Sequence, residues 1–205
     1  MKRRLFCVLA LACGVGLTLT AVNAEDKFNK VLEVGAQAPE YNNLPGTDDQ
    51  EHSLKDLEEK KAVVIVHTCN HCPVAVMYED RLIALQKDYE EKGVQVVAIN
   101  VQDNEADNLP AMKQRAEQKG FNFPYLFDVS QETGKAYGAT ATPQVFLLDG
   151  ERKIAYMGAI DDNPGDEKAV KKQYLRDAID AVLAGSKPEV ASTKPAGCGI
   201  RYEKK

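Results

Sequence analysis

Apolar and polar positions change their period several times along the chain, and each change marks an element. Ala62-Val-Val-Ile-Val-His67 is a continuous β-branched run, which predicts a strand buried on both faces of a parallel or mixed sheet. After Pro73, the residues Val74, Met77, Tyr78, Leu82, Leu85 and Tyr89 recur at helical spacing, with Glu79, Asp80, Lys87 and Glu90 opposite and Gly93 as the stop. This predicts a long amphipathic helix with Met77, Tyr78 and Tyr89 in the core and Glu79 on the solvent face. Residues 94–100 read as a second buried strand, residues 108–119 as a helix with Leu109, Met112 and Ala116 inward, residues 125–127 as a brief strand and residues 131–137 as a short helix. Residues 144–149 and 153–157 flank Asp149-Gly150 as a hairpin, and residues 166–184 read as a closing helix with Tyr174, Leu175, Ala178, Ile179 and Val182 inward. Upstream, Ser53 opens a short capped helix through Leu54 and Leu57.

Alternating strands and helices followed by a hairpin imply an α/β fold: a three-layer α/β/α sandwich with a mixed central sheet, the hairpin adding antiparallel strands to a parallel pair. The 205 residues, 44% hydrophobic and 28% charged, suit one folded domain, assigned to residues 25–185. Residues 186–205 hold Lys, Pro, Ser, Thr and Gly with little apolar content and read as an irregular tail that carries Cys198.

The first 24 residues stand apart: a basic Met1-Lys-Arg-Arg4, an uncharged apolar stretch over residues 5–21, then Val22-Asn-Ala24 where a signal peptidase would cut. They read as a signal peptide, so the protein is expected to be periplasmic or secreted; an uncleaved anchor is the alternative and the only expected link to a membrane. Cleavage removes three basic side chains and no acid, taking the net charge from −5 to −8, which argues against a nucleic-acid partner. Of the five cysteines, Cys7 and Cys13 leave with the signal, and Cys69, Cys72 and Cys198 remain in a compartment where disulfides persist.

Cys69-Asn70-His71-Cys72 lies where the strand hands over to the helix. A first cysteine at a helix N-terminus has its thiolate stabilised by unpaired N–H groups and the dipole, so Cys69 is the expected nucleophile and Cys72 the resolving thiol. His71 is expected to modulate the pair, since a partly protonated imidazole stabilises a thiolate. The competing accounts of the pair are a static disulfide or half of a zinc site, although a second Cys-x-x-Cys is absent.

The strand at residues 62–67, Cys69-Asn-His-Cys72-Pro73 at a helix start, Ala141-Thr-Pro143 before a strand and Val34-Gly-Ala-Gln-Ala-Pro39 together resemble the thioredoxin superfamily, specifically its redoxin branch of peroxiredoxin-like and periplasmic thiol–disulfide proteins. The resemblance implies a thioredoxin fold with Pro143 in a cis peptide facing the cysteines and the Thr142 backbone pairing with substrate in a short strand-like contact. It implies thiol–disulfide oxidoreductase activity on protein thiols and disulfides, a redox partner protein and no cofactor. The tail segment Gly197-Cys-Gly-Ile-Arg-Tyr202 is similar to the ending of a peroxiredoxin-like subgroup, making Cys198 a candidate extra redox thiol; an unpaired or intermolecular cysteine is the alternative.

The chain also departs from that pattern. Thr68 stands where thioredoxins carry Trp, and residues 62–67 contain no acid to accept a proton from the resolving cysteine, a part His67 would have to fill. Peroxiredoxins place Pro and Thr seven and three residues before the peroxidatic cysteine; counted from Cys72 these positions hold Ile65 and Cys69, so a peroxidase is the runner-up. A copper-binding or delivery protein is the other alternative, with His67, Cys69, His71 and Cys72 as ligands.

Overall fold

The computed structural model describes residues 27–203; the expected signal peptide at residues 1–24, with Cys7 and Cys13, lies outside them. In chain order the elements are β1 (Leu44–Pro45), β2 (Glu51–His52), a 3-10 turn at Leu54–Leu57, β3 (Ala62–Thr68), α1 (Pro73–Tyr89), β4 (Val94–Asn100), α2 (Leu109–Lys119), β5 (Tyr125–Phe127), α3 (Glu132–Tyr137), β6 (Ala141–Thr142), β7 (Gln144–Leu148), β8 (Ile154–Gly158), α4 (Tyr174–Leu183) and β9 (Cys198–Gly199). The central sheet runs β5-β4-β3-β7-β8. β3 pairs parallel with β4 and β4 with β5, while β7 joins β3 and β8 antiparallel.

Strand alternation splits the apolar run between two cores. Val64, Val66, Val96 and Ala98 face α1, α2 and α4, which contribute Tyr78, Leu82, Met112, Leu175 and Ile179. Val63, Ile65, Val97 and Ile99 face the other way, onto Tyr41, Leu54 and Tyr137 of α3. With both faces covered the strands need no polar positions, which is why they read as unbroken apolar runs. Burying each such side chain contributes about 1.5–3 kcal/mol. No helix among the described residues is long and apolar enough to cross a membrane.

Four expectations need correction. Met77 is 51% exposed rather than in the core. Glu79 is buried, because Arg115 of α2 reaches it with Nε and Nη2 at 2.8 and 2.6 Å and ties the two helices together. The last helix starts at Tyr174, not at residue 166: a 3-10 turn occupies Glu167–Ala169, and Asp162 Oδ1 accepts the Lys171 and Lys172 N–H groups, holding the chain outside the helix. The polar tail carries little regular structure, yet its backbone is anchored along the domain. Thr193 N donates to the Met157 carbonyl on the sheet edge, Ile200 N to the Thr140 carbonyl, and the Tyr202 hydroxyl to the Ala139 carbonyl, while Gln131 Nε2 donates to the Arg201 carbonyl.

Candidate redox site

β3 ends at Thr68, and the chain turns through Cys69, Asn70 and His71 before Pro73 begins α1. Proline suits the first helical position because its missing N–H would have had no partner there. The N-cap of α1 is therefore Cys72, not Cys69. The helix-start argument that pointed to Cys69 as nucleophile therefore bears on Cys72 instead.

Cys69 is 3% exposed, with its Sγ 3.4 Å from Thr142 Oγ1. Burial pushes its thiol up to about 12, and the Asp107 carboxylate adds to the rise while the Thr142 hydroxyl opposes it. Cys72 is fully buried and its thiol donates to the Thr142 carbonyl at 3.0 Å. Burial is the largest influence and acts to raise it, but the Cys198 thiol, the Ala75 N–H and the Thr142 side chain together outweigh burial and hold the Cys72 thiol below its ordinary value. Cys198 Sγ lies 2.7 Å from Cys72 Sγ, and this contact holds the Cys198 thiol above its ordinary value.

The Thr142–Pro143 peptide is cis, as the resemblance implied. Thr142 does not stand free for a visiting strand, however. β6 pairs antiparallel with β9, Thr142 opposite Cys198 and Ala141 opposite Gly199, so the chain's own tail lies along that edge.

Asp107 is a site residue that the sequence reading missed. Its fully buried carboxylate accepts the backbone N–H of Asn70 at 2.7 Å and of His71 at 3.2 Å through Oδ1, and the Asn104 amide at 2.6 Å through Oδ2. Oδ2 also pairs with His71 Nδ1. The imidazole between the cysteines, its side chain about half exposed, thus leans on a carboxylate from the loop between β4 and α2. One signal was available: Asn100, a polar residue closing a buried strand, donates to the Asp107 carbonyl at 2.6 Å and fixes the loop. Tyr125 adds a further tie, its hydroxyl donating to Asn70 Oδ1 at 3.0 Å.

His67 takes no part in the site. It is fully buried on the second core, 5.5 and 5.6 Å from the Tyr137 and Phe146 ring centres, with no hydrogen-bond partner for either nitrogen. Desolvation drops its pKa to about 4. It therefore cannot stand in for the missing strand acid, and the ligand set His67, Cys69, His71 and Cys72 is not assembled. Cys69, His71 and Asp107 do converge, with one ligand atom of each within 4.8 Å of the others. Two of those atoms, His71 Nδ1 and the Asp107 carboxylate, are already paired with each other.

An uncharacterized conserved protein from Geobacillus kaustophilus is 36% identical in its crystal structure, with 86% of this chain and 96% of that chain covered and a TM-score of 0.80. A hypothetical protein from Sinorhizobium meliloti 1021 is 34% identical, with 84% and 96% covered and a TM-score of 0.78. The thiol-disulfide oxidoreductase ResA of Bacillus subtilis is 28% identical over 159 residues, 75% of this chain and 83% of that protein. The Redoxin family model matches residues 33–174. The chain belongs to the redoxin family.

Proposed function

We propose that this protein exchanges a Cys69–Cys72 dithiol for a disulfide with exported protein substrates and is turned over by a redox partner protein. Its class is that of an oxidoreductase acting on thiol and disulfide groups. The observation that carries the reading is the Cys72 thiol at the N-cap of α1, 3.0 Å from the carbonyl that precedes cis-Pro143. Cys72 is the better attacking sulfur because its thiolate is favoured, whereas burial and Asp107 keep Cys69 protonated.

In the reductive direction the Cys72 thiolate attacks one sulfur of a substrate disulfide and releases the other as a thiol. Cys69 then loses its proton and attacks Cys72, releasing the second substrate thiol and leaving the Cys69–Cys72 bond. His71 modulates the pair by holding the connecting loop against Asp107. Thr142 and Pro143 form the substrate-contact loop, offering a backbone edge to an extended segment. The signal-like residues 1–24 support a periplasmic or secreted location, where substrate disulfides exist.

Equilibration across glutathione buffers with thiol alkylation and mass spectrometry tests this. A reversible loss of two hydrogens within residues 62–81, which hold both cysteines, is expected. A midpoint near about −120 to −180 mV would mean disulfide donation, one near about −270 mV a reductant, and no reversible disulfide at Cys72 would sink the reading.

A further inference from the structure

We infer that Cys198 is a second resolving thiol for Cys72, delivered by a tail strand that docks where a substrate strand would lie. This rests on Cys72 as the attacking sulfur and goes beyond it by naming a redox bond outside the Cys-x-x-Cys pair.

Three observations carry it. β9 adds to the Thr142 edge in antiparallel register, which sets Cys198 opposite the residue before cis-Pro143. The two sulfurs stand 2.7 Å apart, close to the roughly 2.05 Å of a disulfide, so little backbone movement separates contact from bond. The tail also approaches more closely than most residues would allow. A β-carbon on Gly197 would collide with the Thr142 carbonyl and come within 2.9 Å of Pro143 N. Hydrogen bonds on the far side of the cysteine hold the strand down, from Ile200 N to the Thr140 carbonyl at 3.0 Å and from Glu203 N to Gln131 Oε1 at 2.8 Å.

With the tail seated Cys72 has no exposed surface and Cys69 only 3%, so a substrate disulfide reaches Cys72 only after β9 lifts. The steps balance. Cys72 thiolate attacks a substrate disulfide, forming a mixed disulfide and releasing one thiol. The tail returns, the Cys198 thiolate attacks the Cys72 sulfur, and the second substrate thiol leaves. The substrate disulfide gains two electrons and two protons, and Cys72 and Cys198 lose them. Cys69 can then attack Cys72 and release Cys198, which passes the bond to the Cys69–Cys72 pair with no change in electron count.

The test uses glutathione disulfide as the oxidant and the mature chain carrying Cys69→Ser, with Cys69→Ala as a second variant should the first fold poorly. If Cys198 resolves, two glutathiones are released per protein and trypsin yields segment 62–81 cross-linked to segment 177–201, the latter intact because Lys187 and Lys194 each precede proline. One glutathione released, with the other retained on Cys72 and no cross-link, would overturn the inference. Cys198→Ser separates the two readings: it should keep the Cys69–Cys72 couple, and losing that couple there as well would remove the proposed function itself.

Discussion

Around Cys69 burial prevails; around Cys72, three residues on, it is outweighed. At Cys69 the Thr142 hydroxyl and the Cys72 N–H oppose the rise without cancelling it, and the Asp107 carboxylate adds to it, whereas at Cys72 the Cys198 thiol, the Ala75 N–H and the Thr142 side chain together reverse it. Pro73 places the start of α1 one residue after the second cysteine, and the proposal that Cys72 is the attacking sulfur follows that placement rather than the Cys-x-x-Cys spacing.

The strongest way to break the comparison is to remove each sulfur in turn. Cys72→Ser should drop the reduction of a peptide disulfide, with dithiothreitol as electron source, to the uncatalysed background. Cys69→Ser should keep only the slower turnover that Cys198 or dithiothreitol can resolve, and a reversed ranking would invert the assignment. Burial acting without donors can be isolated at His67, whose pKa falls from 6.5 to about 4. As pH drops through this window the unfolded chain takes up the proton before the folded one. His67 therefore contributes stability above pH 6.5 that is lost toward pH 4, about 3 kcal/mol in all. Thermal melts between pH 7 and 4.5 should show His67→Phe losing less stability than the wild type; parallel losses would contradict this.

The carboxylate side of the comparison is sharpened by Asp107→Asn. The Cys69 thiol should titrate lower, followed by thiolate absorbance against pH, and stability should fall by about 1–3 kcal/mol as buried N–H partners weaken. An unchanged Cys69 titration would show that burial alone holds it up. Tail docking itself is tested by Gly197→Ala, where the new methyl group collides with the Thr142 carbonyl, so the tail must shift from that edge and alkylation of Cys72 should speed at least roughly fivefold. No change in that rate would mean that the tail does not gate the sulfur.

Much of the fold was legible, for a specific reason. Strands covered on both faces are unbroken β-branched runs, so residues 62–67 and 94–100 announced themselves, and their junction with a helix located both cysteines. What escaped depended on partners distant in sequence. Glu79 looked solvated until Arg115, 36 residues later, came to meet it, and the one sign near Asp107, the polar Asn100 closing a buried strand, did not show that it reaches back 36 residues to His71. The tail escaped because its order comes from backbone hydrogen bonds to Met157 and Thr140, which leave no side-chain periodicity to read.

The contact between Cys72 and Cys198 joins positions 126 residues apart. A bond there would close most of the domain into a covalent ring and restrict the unfolded chain, a stabilisation of about 4–5 kcal/mol for a loop of that length on the chain-entropy account. Oxidation would then do more than store two electrons: it would raise the melting temperature, and the same reductant that reopens the centre would make the whole domain easier to unfold. Calorimetry on the oxidised and reduced forms would read this coupling directly, and equal melting temperatures would mean that the ring does not form.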